Sequence, residues 1–178
     1  MPTKPNAGPE QADQETKSTG RATNTRALAA IELLKDDHRE VQEYFEQYEG
    51  LGSDGEKEPL ALKICLALQV HAQIEEEIFY PEVRSAIKNR ELIDKALVEH
   101  AAAKELVAEI EAMEVGDELR DAKVKVLGDQ IRHHVAEEEN ELFPQLHQAD
   151  LDMALLGQRL ADRKAELLRE VAEGADPG

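Results

Sequence analysis

Apolar residues along most of this chain recur at spacings of three and four, the signature of helices with one buried face. The first such stripe starts near Thr25 and reads Leu28, Ile31, Leu34, His38, Val41, Phe45, Tyr48. Gly50-Leu-Gly-Ser-Asp-Gly breaks it. The second reads Ala61, Ile64, Leu68, His71, Glu75, Ile78, and Pro81 is expected to kink or end that helix, with a short piece running on to about Lys88. Asn89 is a predicted N-cap for a third helix with Ile93, Ala96 or Leu97, His100, Ala103, Val107 and Ile110 inward. After the Gly116-Asp117 turn, a fourth stripe reads Val124, Leu127, Ile131, His134, Glu138, Leu142, with Pro144 in its last turn. A fifth segment after Asp150 carries Met153, Leu156, Leu160, Leu167 and Val171 on one side. It either packs back onto the other helices or pairs with another chain, as in a homodimer through that helix.

No β-branched stretch alternates with period two, so the predicted class is all-α, an up-down four-helix bundle with an additional C-terminal helix. Residues 1–24 lack apolar periodicity and are predicted to be a disordered tail. The bundle is expected over 25–150, and the C-terminal helix with a short tail over 151–178. The chain has 178 residues, 41% of them hydrophobic, enough for a real core. Its net charge of -18 opposes binding to phosphate backbones or anionic lipid, so neither nucleic acid nor membrane is an expected partner. Cys65 is the lone cysteine, which rules out an internal disulfide and fits a reducing cytoplasm. No N-terminal stretch reads as a secretion signal.

Each of the four bundle stripes carries a His where the pattern calls for an aliphatic residue. One such His is usually a hydrogen-bonded core residue, but four mid-helix histidines on four antiparallel helices meet at one level. Two of the helices add a carboxylate on the same face. His71 is followed by Glu75 and His134 by Glu138, and residues four apart lie about 40° from each other around the axis. Burying Glu75 and Glu138 as bare carboxylates would cost several kcal/mol each, and bound cations would offset that cost.

His38, His71, Glu75, His100, His134 and Glu138 are too many ligands for one structural zinc, and imidazoles do not suit calcium or magnesium. Two ions with two imidazoles each and two shared carboxylates use the whole set and leave open positions, which suits iron. The ferritin-like di-iron class needs Glu three residues before His, and none of the six histidines has it. His133 and Glu137 compete with His134 and Glu138, but only His134 falls on the Val124-Leu127-Ile131 stripe. His147, past Pro144, is expected to be exposed.

The series Asp36-Asp37-His38, His71-xxx-Glu75-Glu-Glu-Ile-Phe-Tyr-Pro81, Glu99-His100 and His134-xxx-Glu138-Glu-Asn-Glu-Leu-Phe-Pro144 resembles the hemerythrin-like HHE cation-binding domain over about residues 27–148. The resemblance implies a four-helix bundle with two non-haem iron ions, oxo- or hydroxo-bridged, and Glu75 and Glu138 as bridging carboxylates. Its implied small-molecule partners are O2, H2O2 or NO. The oxygen carriers of that family have a fifth His one turn from the other on the third helix; here Ala96 and Lys104 flank His100 at that spacing. Tyr44, Tyr48 and Glu141 are the candidates to fill the gap. A site one ligand short favours reaction with peroxide, NO or O2, or sensing of them in oxidative or nitrosative stress, over transport. The alternative is reversible O2, NO or iron binding without turnover. The six aromatics are expected to pack the bundle ends and wall the site from water.

Overall fold

The computed structural model describes residues 29–174. The expected tail, the helix start at Thr25 and Leu28 lie outside them. Within the described residues, seven α-helical segments, α1 (Ala29–Gly50), α2 (Asp54–Ile74), α3 (Tyr80–Ala86), α4 (Glu91–Ala112), α5 (Arg120–Glu137), α6 (Phe143–Leu146) and α7 (Met153–Gly174), form five rods. Single π-helical turns, Glu75–Phe79 and Glu138–Leu142, weld α2 to α3 and α5 to α6. Among the described residues there is no strand. The architecture is the expected one, four antiparallel rods in an up-down ring with a fifth laid against α1 and α2.

The loops are short because each has its own stop signal. Leu51 N–H returns to the Tyr48 carbonyl at the end of α1. Ser53 precedes α2 in an extended conformation, and its hydroxyl reaches Glu56 at 2.7 Å. Between α4 and α5 the chain turns through Gly116 at φ +91°, in the left-handed region that only glycine enters without penalty. Asn89 is not the N-cap of α4; Arg90 precedes its first turn with helical φ and ψ and caps nothing with its side chain.

Pro81 does not end its helix, which runs on to Ala86, whereas Pro144 lies in the last turn of its rod, as expected. A proline removes one N–H and crowds the carbonyl four residues back. Here a π turn comes just before each one, and the N–H groups of Tyr80 and Phe143 reach back five residues to the carbonyls of Glu75 and Glu138. The extra residue rotates the remainder of each rod about its axis. On the second rod Phe79 and Tyr80 therefore face the core, and Ile78, the predicted stripe residue, is only partly buried.

Two apolar clusters fill the bundle. One lies at the proline end and joins Leu34, Phe79, Tyr80, Val83, Ala96 and Phe143 to Leu156 and Leu160 of α7. The other lies at the opposite end and includes Val41, Phe45, Leu68, Val107 and Leu127. Ala96 rather than Leu97 takes the ambiguous inward position of α4, and Cys65 is fully buried.

The fifth helix packs back on the bundle. Its closest approach is at Gly157, where a Cβ would stand 2.8 Å from the Ala30 backbone nitrogen, so only glycine lets α7 lie this near α1. Arg159 to Glu82, Arg163 to Glu77 and Lys164 to Asp37 tie it along the outside. Val171, predicted inward, is exposed because α7 has by then run past Leu167, its last buried residue. No helix among the described residues is long and apolar enough to cross a membrane.

Candidate metal centre

Between the two apolar clusters lies one polar layer. His38, His71, His100, His134, Glu75 and Glu138 all project into it and are buried there, Glu75 completely. The four mid-helix histidines meet because the rods are antiparallel and of similar length. The carboxylates come in from the first residue of each π turn. All six predicted residues are thus brought together.

The distances sort them into two groups that share carboxylates. Glu75 Oε2 lies 3.2 Å from His71 Nε2 and 3.3 Å from His100 Nε2. Glu138 Oε2 lies 3.4 Å from His38 Nε2 and 3.6 Å from His134 Nε2. His38, His71, Glu75 and Glu138 offer one set of atoms close enough to hold a cation, and Glu75, His100 and His134 offer a second. Each carboxylate therefore stands between a histidine of one set and a histidine of the other.

The donor chemistry fits a metal. His38 Nε2, His71 Nε2, Glu75 Oε1 and Glu138 Oε2 are buried without a hydrogen-bond partner. An unpaired buried polar atom costs about 1–3 kcal/mol, more when charged, and four in one layer would be a heavy load on an ordinary core. They are donors aimed at a common centre, with nitrogen and oxygen mixed as transition metals accept them.

The opposite ring nitrogens are all taken. His71 Nδ1 donates to Asp37 at 3.3 Å, His100 Nδ1 to Glu76 at 3.0 Å, His134 Nδ1 to Glu99 at 2.9 Å and His38 Nδ1 to Glu139 at 2.9 Å. Each carboxylate sits on the preceding helix of the ring, α1 holding α2, the second rod holding α4, α4 holding α5, and the fourth rod holding α1. Such a bond fixes the tautomer and leaves Nε2 free to face a metal. In the sequence each of these carboxylates is the immediate neighbour of one of the six clustered residues.

Charge in the layer is strongly coupled. Burial opposes a proton on His71, yet Glu75 and Asp37 outweigh it and hold its pKa up to about 10. Burial likewise opposes a charged Glu75, but His71 and His100 keep its carboxyl well below the usual range. Asp37 is lowered against burial by its bonds to His71 and Lys164.

Tyr80 is the residue that sequence reasoning missed. Its hydroxyl donates to Glu138 Oε1 at 2.8 Å and lies 3.3 Å from both Glu75 Oε2 and His100 Nε2. Burial, with the two carboxylates adding, raises the phenol well above its ordinary pKa. Ala96, one of the two positions a helical turn from His100, is buried in the same cluster as the Tyr80 ring. The three candidates named for that gap lie elsewhere: the Tyr44 hydroxyl bonds Glu40, the Tyr48 hydroxyl bonds Asp121 at 2.7 Å, and Glu141 is exposed. The signal for Tyr80 was its place five residues after Glu75, which a regular helix would turn away and a π turn brings back.

His133 faces outward with its side chain 63% exposed, near Glu137, whose carboxylate Lys95 engages. His147 is exposed. Phe143 stacks on the His38 ring at 6.0 Å between centroids, and Phe79 meets Phe143 edge-on, sealing the proline end of the layer.

The sequence profile described as the hemerythrin HHE cation binding domain matches residues 29–146. The crystal structure of a hemerythrin HHE cation binding domain-containing protein from Mycobacterium kansasii has the same fold, with TM-score 0.70 at 19% identity over 81% of this chain and 90% of that one. No curated protein sequence matches the chain. The profile match spans the four bundle rods and every residue of the polar layer, so this chain belongs to the hemerythrin HHE cation-binding domain family.

Proposed function

We propose that the layer holds two non-haem irons and that the protein reacts with, or senses, peroxide, O2 or NO in a reducing cytoplasm. The observation that carries this reading is the set of four buried, unpaired donor atoms on His38, His71, Glu75 and Glu138. His38 and His71 would hold one ion, His100 and His134 the other, and Glu75 and Glu138 would serve both. Iron bound there supplies open coordination positions and electrons for small oxidants.

The chain's own residues do the rest. Asp37, Glu76, Glu99 and Glu139 aim the four imidazoles. Tyr80 holds a proton on its hydroxyl, which it donates to Glu138 inside the layer. Phe79 and Phe143 keep water out on the proline side. A cavity of about 330 Å3 on the opposite side touches all four histidines and gives small molecules a way in.

Stopped-flow mixing of the iron-loaded protein with H2O2, O2 and NO tests the reading. Rapid spectral change with at least one of them is expected. Iron-loaded protein inert to all three would overturn it.

A further inference from the structure

The cavity beside the polar layer is far larger than any diatomic gas or peroxide requires. It forms because the layer one helical turn from the histidines is built from Val41, Leu68, Ala103 and Ile131, and Ala103 fills little of its share. Its volume is about 330 Å3 and its walls are mainly apolar. After allowing about 30 Å3 for each of two water-sized ions, about 270 Å3 remains, nearly twice a cavity that holds benzene. That space suits a chain of about ten carbons, and pockets of this size and lining ordinarily take organic ligands.

The rim supplies the polar end. On a chain of net charge -18 the cavity is lined by three lysines against two carboxylates, Asp37 and Glu40. Lys104 is engaged by Glu76 and Lys164 by Asp37. Lys63 makes no close ion pair among the described residues; its ammonium lies 4.0 Å over the Tyr44 ring, and Glu40, which the Tyr44 hydroxyl bonds, favours its charged form only from a distance. An exposed cation at an apolar mouth, in a protein that otherwise repels anions, is a recognition element for an anionic head group.

We propose that this cavity binds a medium-chain organic carboxylate, its chain lying among Val41, Leu68, Ala103, Val107 and Ile131 toward the histidines and its carboxylate at Lys63. The inference names the organic ligand class of the cavity beside the proposed iron centre; its place next to a metal rests on that reading, its binding does not.

Isothermal titration of the iron-loaded protein with decanoate, acetate and decyltrimethylammonium tests it, with iron content measured on the same samples. Decanoate should bind one per chain, acetate not at all and the cation at least tenfold more weakly. Lys63→Glu should weaken decanoate at least tenfold with iron content unchanged, and Ala103→Phe should do the same by filling the cavity. Lys63 is on the surface, so its variant decides the matter even if the Ala103 variant fails to fold. Decanoate binding no better than acetate, or unaltered by Lys63→Glu, would overturn the proposal. Decanoate binding to protein that takes up no iron would overturn the metal reading alone.

Discussion

Asp37 on α1 accepts the Nδ1 proton of His71 on α2, and on its other oxygen it is met by Lys164 of α7, a helix outside the four bundle rods. The fifth helix thereby reaches the polar layer through one carboxylate. Replacing an outer carboxylate of this kind typically costs 10–100-fold in metal affinity. Asp37→Asn should therefore weaken iron binding by about tenfold or more, and Lys164→Met by less but in the same direction, as measured by competition with a chelator. Equal affinity in all three proteins would mean that His71 needs no such support.

The paired histidines test the rotation of the fourth rod. His134→Ala should lower iron content and diferric absorption, because its Nε2 lies in the layer. His133→Ala, about 100° around the same helix and exposed, should leave stoichiometry intact. Glu138→Ala should be worse than either and far worse than Glu137→Ala, since Glu138 stands between His38 and His134. Metal analysis of the four variants reads the ranking.

Tyr80→Phe removes one hydroxyl and leaves the ring packing. Iron content should stay within about twofold of the parent, while the visible spectrum of the ferric protein and its rate with peroxide should both change, the rate by about a hundredfold, the low end for a positioned proton donor. An unchanged spectrum and rate would make Tyr80 a packing residue only.

The helical class, the inward faces and the six-residue layer were legible in the sequence because helical periodicity is local and a His or Glu on an apolar stripe stands out. Part of what the sequence hid is tied to the two π turns. Periodicity assumes a constant angle per residue, so it placed Ile78 inward and left Tyr80 as core packing. The inserted residue before Pro81 changes both. The ring of Asp37, Glu76, Glu99 and Glu139 was hidden differently. Each is an ordinary acidic residue until the neighbouring helix supplies its imidazole. The fate of α7 depended on Gly157, whose need for close approach shows only against Ala30.

Protons should compete with metal in a defined window. In metal-free protein His71 holds its proton to about pH 10, against about 6.5 when unfolded. Its contribution to stability is full below about 6.5 and is lost as pH rises toward 10. Glu75, lowered, contributes above its unfolded value of about 4.3 and loses that as pH falls. Metal-free protein should thus have its highest Tm between about pH 4.5 and 6.5. Iron binding must displace the His71 proton, so the Tm gain on loading should grow with pH over that range and above. Calorimetry of both forms across pH 5–9 checks the opposite slopes; parallel profiles would detach the layer from metal binding.

Metal stoichiometry tests the central claim most directly. Protein produced with ample iron should carry two irons per chain and show the Mössbauer signature of a coupled diferric pair. One metal per chain, or zinc in place of iron under those conditions, would contradict it.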